Sequence, residues 1–198
     1  MLKSLKRIIA IGLFWLAGCV SNIGGTTDST YLATSEIAWQ GPVTVKVKPT
    51  YSRKGDKEQS QLELLVGKDF RRGNLKTNLY LDAKSDLEET VWLGLRGGTD
   101  YLIGKTHLGF QLRHFSGLND NSSNHFYYIP YLSQDLTGKL SIGLWDYGKQ
   151  NYEDEKGFSY LGPFFVYSFN KKSKVLFHYG EDIKENGDLV YLKLDFKF

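Results

Sequence analysis

The sequence predicts an all-β fold, an antiparallel up-and-down β-barrel of about ten strands within a range of eight to twelve. The first observation behind this is the alternation at the end of the chain, where Val190, Leu192 and Leu194 share one face and Lys193 and Asp195 share the other. The second is the composition, which has 15% aromatic residues and only 4 prolines in 198 residues. Both features are typical of a protein built from many strands.

Ten segments have strand character and are separated by turn residues. They cover residues 43–52, 61–70, 75–82, 90–97, 106–116, 124–133, 139–145, 159–169, 174–179 and 189–198. Short connections at residues 71–74 and 170–173 alternate with longer polar ones, such as residues 146–157. Outer-membrane barrels have short periplasmic turns and longer outer loops. Ten strands would therefore place both termini in the periplasm.

The two faces of these strands differ in chemistry. One face is apolar, and the other carries charges of both signs: Thr44, Lys46, Lys48, Glu63, Arg96, Gln111, Arg113, Lys193, Asp195 and Lys197. Mixed charges suit a narrow polar lumen, whereas apolar rows suit contact with lipid, so the pattern favours a transmembrane barrel. A soluble, tethered lipocalin-like barrel, in which the apolar rows line a lipid-binding cavity, stays open as an alternative.

The start of the chain has the order of a secretory signal. Basic residues at positions 3, 6 and 7 precede an apolar run at 8–17 that is too short to span a bilayer. Leu16-Ala17-Gly18-Cys19 resembles the lipobox of bacterial lipoproteins, which implies removal of residues 1–18 and acylation of Cys19, the single cysteine. By that resemblance, Val20 in place of an Asp implies the outer membrane. Residues 19–38, rich in Ser, Thr and Gly, predict a tether, and residues 39–198 predict the barrel.

The charge balance excludes one class of partner. With 25 basic and 22 acidic residues and no basic block, the sequence does not predict binding to nucleic acid. The expected partners are the lipids of the outer membrane. Whether the protein forms a homodimer is left open.

A candidate catalytic set lies on segments 106–116 and 124–133. Period two places His114 and Ser116 on the same face as the apolar Leu112, and a hairpin centred on Asn119 would set Asn124 directly opposite His114. A serine nucleophile needs a base, and an imidazole held by a third side chain supplies one. Polar residues are also ordinary at a barrel rim, so a non-catalytic barrel with a structural or surface-binding role is the alternative.

Here the chain resembles outer-membrane phospholipase A. The order of residues 92–101, His114-Phe115-Ser116-Gly117 and Asn124-His125-Phe126-Tyr127 follows that family. The resemblance implies His114 as base, Ser116 as nucleophile, Asn124 as orienting residue, acyl ester hydrolysis at the lipid-facing wall and calcium as cofactor. The family has Asn-Gly where this chain has Gly117-Leu118, a longer loop, and twelve strands without a lipobox. The nearest oxygen donors, Asp120 and Asn121, receive no assigned role.

The remaining candidates are weaker. Lipid A deacylases also carry His-x-Ser on an outer barrel wall, but their third member is a Glu, which residues 117–149 lack. His107, His125 and His178 fall on the other face and are predicted to point into the lumen. Trp92 and Trp145 are predicted to pack or to lie at an interface. No cluster has zinc-ligand spacing, and the acidic run at 153–155 is predicted to be a solvated loop tip.

Overall fold

The chain folds into a closed barrel of eleven strands. The structure, a computed structural model, describes residues 29–86, 90–119, 122–152, 157–184 and 187–198. The strands are β1 (Thr30–Trp39), β2 (Thr44–Lys54), β3 (Lys57–Arg72), β4 (Leu75–Ser85), β5 (Val91–Ile103), β6 (Thr106–Gly117), β7 (His125–Asp135), β8 (Leu140–Asn151), β9 (Gly157–Asn170), β10 (Ser173–Asp182) and β11 (Asp188–Lys197). The predicted fold class and range of strand numbers are confirmed. Among the described residues, no helix is long and apolar enough to cross a membrane.

The strand that the sequence analysis missed is β1. Residues 30–38 were predicted as part of the tether, and the predicted start of the barrel at residue 39 is wrong. Small polar residues hide the alternation of this segment, but its inward side chains have partners inside the barrel. The Thr34 hydroxyl donates to the carbonyl of Pro49 at 2.9 Å, and Lys193 donates to Glu36 at 2.9 Å. Tertiary pairing therefore makes a strand where composition predicts a linker.

An odd number of strands changes the placement of the termini. Neighbouring strands run antiparallel all around the barrel except at the closure, where β1 pairs parallel with β11, Thr30 opposite Leu189 and Ala38 opposite Lys197. The barrel therefore begins and ends at opposite ends. Thr30 and Phe198 thus lie at opposite ends. Residues 1–28, with Cys19, lie outside the described residues, so the periplasmic position of both termini stays a prediction.

The two ends of the barrel differ in their connections. The end that carries Phe198 has the turns at residues 40–43, 73–74, 104–105, 136–139 and 171–172, and is called the short-turn end. The opposite end is called the long-loop end, because four of its five connections span five to seven residues: 86–90, 118–124, 152–156 and 183–187. Gly73 and Gly104 have φ of 58° and 62°, which glycine adopts without strain, and so allow two-residue hairpin turns.

The apolar rows face outward. Leu81, Leu95 and Leu144 are more than half exposed, whereas Lys48 and Glu63 on the opposite face are each only 6% exposed. This confirms the predicted orientation of the faces. It is the reverse of a lipocalin-like barrel, whose apolar side chains line the cavity.

An ionic cluster fills the middle of the lumen. Arg96 lies between two carboxylates, with its Nη2 atom 2.6 Å from Oε2 of Glu63 and 2.7 Å from Oδ2 of Asp82. Lys48 reaches the same Glu63 oxygen at 3.2 Å, and Arg113 lies 3.8 Å from the other. These side chains come from β2 to β6, so the cluster ties five strands together.

An aromatic layer lies between this cluster and the long-loop end. Its rings are Trp92, Phe115, His125, Tyr127, Tyr147, Phe158, Tyr160 and Tyr191. The stacked pair of Tyr147 on β8 and Tyr191 on β11, with ring centroids 6.3 Å apart, joins strands that are not neighbours, so the layer extends across the lumen. Lys84 lies beneath it, with Nζ 5.0 Å from the ring of Trp92.

The parallel closure predicts distances between spin labels. In a Cys19→Ser background, labels at Thr30 and Asp188 should lie on neighbouring strands at the same end. Labels at Thr30 and Lys197 should be separated by about 26 Å along the strands, since Lys197 lies eight steps of roughly 3.3 Å beyond Leu189, the partner of Thr30. Double electron–electron resonance of the protein in micelles measures the longer distance, and dipolar broadening of the continuous-wave spectrum detects the shorter one. A shorter distance to Lys197 than to Asp188 would contradict the parallel pairing.

The ionic cluster predicts a large effect of Arg96. Arg96→Leu leaves Glu63 and Asp82 short of a cation in a closed lumen, and should lower the free energy of unfolding by about 3–5 kcal/mol. Arg72→Leu removes the same side chain from an exposed position and should change it by less than about 0.5 kcal/mol. Urea unfolding in micelles measures both. Adding Asp82→Asn to Arg96→Leu should recover part of the loss, and equal stability of the two single variants would exclude this role for the cluster.

Candidate functional site

The outward position of the candidate base and nucleophile follows from the alternation of β6. Leu112 and His114 are exposed, whereas Arg113, which lies between them, and Phe115, which follows His114, are buried. Ser116, two residues beyond His114, lies on the same outer face and is half-buried. The predicted common face is confirmed, and it lies at the long-loop end, where β6 ends at Gly117.

The register of the hairpin differs from the predicted one. β6 pairs with β7 so that His114 faces Phe126 and Phe115 faces His125. Asn124, the residue before His125, therefore comes opposite Ser116, and its predicted direct opposition to His114 is wrong. The hairpin is centred one position later than Asn119 because the connection makes its own turn, in which the amide of Ser122 donates to the carbonyl of Asn119 at 3.0 Å. Asn124 is a diagonal neighbour of His114 on the same face.

Asn124 and His114 have separate partners. The Asn124 Oδ1 atom accepts a hydrogen bond from the backbone amide of Gly117 at 3.1 Å. The His114 ring contacts the ring of Tyr152 with centroids 5.6 Å apart, and Tyr152 in turn contacts Phe126. Within the described part of the chain, no hydrogen bond joins His114, Ser116 and Asn124. The three side chains share one patch of the outer wall without forming a hydrogen-bonded triad.

Among the described residues, no cation site lies near this patch. Within the described ranges, no three His, Cys, Asp or Glu side chains are grouped closely enough to hold a metal ion. Asp120 and Asn121, the nearest oxygen donors in the sequence, lie outside the described residues, as does the acidic run at 153–155. The calcium that the resemblance implies therefore stays a prediction.

The other three histidines point into the barrel, as predicted. His107 lies between two carboxylates, with Nδ1 3.2 Å from Asp100 and Nε2 3.2 Å from Asp135. His125 and His178 are almost fully buried among aromatic rings. Sequence reasoning missed the carboxylate partners of His107. The spacing of the β5–β6 hairpin could have predicted the contact with Asp100. Asp100 lies opposite Gly109, which is two residues along β6 from His107 and on the same face.

Trp92 and Trp145 pack in the interior, in agreement with the first of the two predicted roles. Trp92 is 9% exposed within the aromatic layer, and its indole N–H donates to the carbonyl of Ser123 at 3.3 Å. Trp145 packs against His178 with ring centroids 4.7 Å apart. Both side chains therefore pack inside the barrel and are not part of the outer-wall patch that carries His114 and Ser116.

In comparisons with known proteins, no family model matches the sequence and no curated protein matches it at a significant level.

Proposed function

We propose that this chain is an integral barrel of the bacterial outer membrane. The observation that carries the proposal is the outward apolar surface. Aliphatic side chains such as Leu79, Leu81 and Leu95 are each more than half exposed on neighbouring strands, and a contiguous apolar band of this kind is costly in water. In lipid it is favourable, while the charges of the ionic cluster pair with one another inside the barrel.

Aromatic side chains border the aliphatic band at both ends. At the short-turn end they are Phe70, Tyr101, Phe169 and Phe198, and at the long-loop end Tyr152 and Phe126. Such girdles occupy the two membrane interfaces of transmembrane barrels, because their rings are apolar and tolerate the polar headgroup region. Aromatic side chains at both ends of the aliphatic band therefore support a barrel that crosses the bilayer.

Lipidation at Cys19 is part of this proposal. The barrel begins at the long-loop end, so the leaflet nearest to Thr30 is the one at that end. Ten residues separate Cys19 from Thr30. An extended segment of this length spans about 36 Å, which reaches either leaflet, so we propose lipidation at Cys19 in the outer membrane without assigning a leaflet.

Two leucines of similar exposure distinguish a membrane barrel from a soluble one. Leu81, 59% exposed in the middle of β4, and Leu118, 61% exposed in a loop at the barrel end, are equally accessible. In lipid, Leu81→Lys should destabilise the barrel by about 2–4 kcal/mol and Leu118→Lys by about 0–1 kcal/mol. Unfolding of liposome-inserted protein, followed by heat-modifiable migration, measures both. Equal, small effects of the two substitutions would contradict membrane insertion.

For activity, we propose hydrolysis of an acyl ester of membrane lipids at the outer wall. His114 and Ser116 are separated by about 7 Å along one strand and face outward at the level of a membrane interface. The Ser116 hydroxyl would attack the ester carbonyl while His114 accepts its proton. The imidazolium would then protonate the leaving alkoxide, and water would release the fatty acid from the serine by the same acid–base exchange.

Asn124 would complete this site by a rotation of its side chain. As a diagonal neighbour of His114, it could hold the imidazole through Oδ1 only after releasing the amide of Gly117. The same movement would free that amide, next to the nucleophile, to donate to the developing oxyanion. The triad and the oxyanion donor would therefore form together when lipid is bound.

A second candidate is a non-catalytic barrel with a structural or surface-binding role. The observation that favours it is the bond between Asn124 and Gly117, together with the packing of His114 against Tyr152. These contacts give both polar side chains a structural role at the rim. In that case the long loops would be the functional surface.

Release of fatty acid distinguishes the two candidates. Purified protein in mixed micelles of detergent and phosphatidylethanolamine should release fatty acid, and Ser116→Ala or His114→Ala should lower the rate by about 10³-fold or more. Ser52→Ala removes a hydroxyl from another hairpin at the long-loop end and should leave the rate unchanged. Parallel assays with calcium and with a chelator test the implied cofactor. No release by the unaltered protein in either, or equal release by Ser116→Ala, would favour the non-catalytic barrel.

A further inference from the structure

A cavity of about 580 Å³ occupies the lumen on the short-turn side of the aromatic layer. It reaches the turn between β7 and β8, where Thr137, Gly138 and Lys139 line it. Tyr127, Tyr147 and Tyr191 of the aromatic layer form its inner boundary. The cavity is therefore a vestibule that opens at the short-turn end, and it lies inside the barrel, away from the outer-wall site.

Cations outnumber carboxylates in the lining of the vestibule. Its lysines are Lys48, Lys76, Lys84, Lys139, Lys174 and Lys193, to which Arg113 adds a seventh cation. Four carboxylates face them, and each already has a cationic or imidazole partner. Asp195, for example, lies 2.7 Å from Lys193 and 3.3 Å from Lys174. The lining thus carries three more positive than negative side chains, seven against four.

The mouth of the vestibule is more basic still. A groove beside the cavity is lined by Lys139, Lys171, Lys172, Lys174 and Lys197, with Asp195 as its single carboxylate. In the part of the chain that the structure describes, the ammonium groups of four of these lysines, all except Lys174, form neither an ion pair nor a hydrogen bond. A concave basic surface with low-dielectric walls concentrates the positive potential and attracts anions.

We propose that this vestibule binds a small organic phosphate that enters from the short-turn end. Lysine ammonium groups act as point charges and suit a compact dianion such as phosphate. Lys139 and Lys174 line both the groove and the cavity, so they are placed to hold the phosphate at the mouth. Gln111, Ser133 and Tyr131 lie further inside and suit a polyhydroxylated body rather than an acyl chain.

Binding of glucose 6-phosphate tests this proposal. With the full chain in phosphatidylcholine nanodiscs, isothermal titration calorimetry should detect glucose 6-phosphate and should not detect glucose at the same concentration. Lys139→Gln/Lys174→Gln should weaken binding about ten-fold or more. Lys54→Gln/Lys57→Gln removes the same charge from exposed positions at the long-loop end and should leave the affinity within about two-fold.

A charge-preserving variant and a change of lipid test whether the vestibule itself holds the phosphate. Lys139→Arg/Lys174→Arg keeps the charge and should retain binding, and heat-modifiable migration shows whether each variant is folded. The proposal is overturned by an absence of binding up to about 10 mM, by equal loss in both glutamine double variants, or by an equal affinity for glucose. It is also overturned if the lysine substitutions weaken binding of phosphatidylglycerol in the nanodisc but binding of no soluble phosphate. The groove would then hold a lipid headgroup.

Discussion

The structure depends on neutralising the charges that the barrel encloses. Alternation directs every second side chain into a narrow lumen, and many of those on β2 to β6 are acidic or basic. Burial of an unpaired charge costs several kcal/mol, so the fold is stable only if these groups meet. Arg96 satisfies this condition by contacting Glu63 and Asp82 at once. Because the charges pair in the interior, the middle of the outer wall can consist largely of apolar side chains.

Closure by a parallel pair of strands determines at which end of the barrel the chain enters and at which end it leaves. Because β1 runs alongside β11, the chain enters at the long-loop end and finishes at the short-turn end. The proposed outer-wall site near Ser116 therefore lies at the end where the chain enters, and the lysines of the vestibule lie where it finishes. An even number of strands would instead bring entry and exit together at the short-turn end.

Alternation was sufficient to predict β2 to β11, because most of these strands carry large apolar side chains at every second position, and the charges at the other positions favoured an outward apolar face. It failed for β1, where Thr34, Ser35 and Ala33 are too small to mark a face, and only contacts with Pro49 and Lys193 show the strand. Alternation also could not predict that His114 pairs with Phe126. Register follows from the turn, and here Asn119 and Ser122 shift the centre of the hairpin by hydrogen bonds that spacing does not encode.

The same alternation separates the two proposed sites. His107 and His114 lie seven residues apart on one strand, an odd number, so one must point into the lumen when the other points outward. His107 is held between Asp100 and Asp135 in the vestibule, whereas His114 contacts the ring of Tyr152 on the outer wall. A ligand bound on one face can therefore affect the other face only through the backbone of β6. This backbone is held in place by strand pairing with β5 and β7. Hydrolysis at the wall and anion binding in the lumen should thus respond independently to substitution.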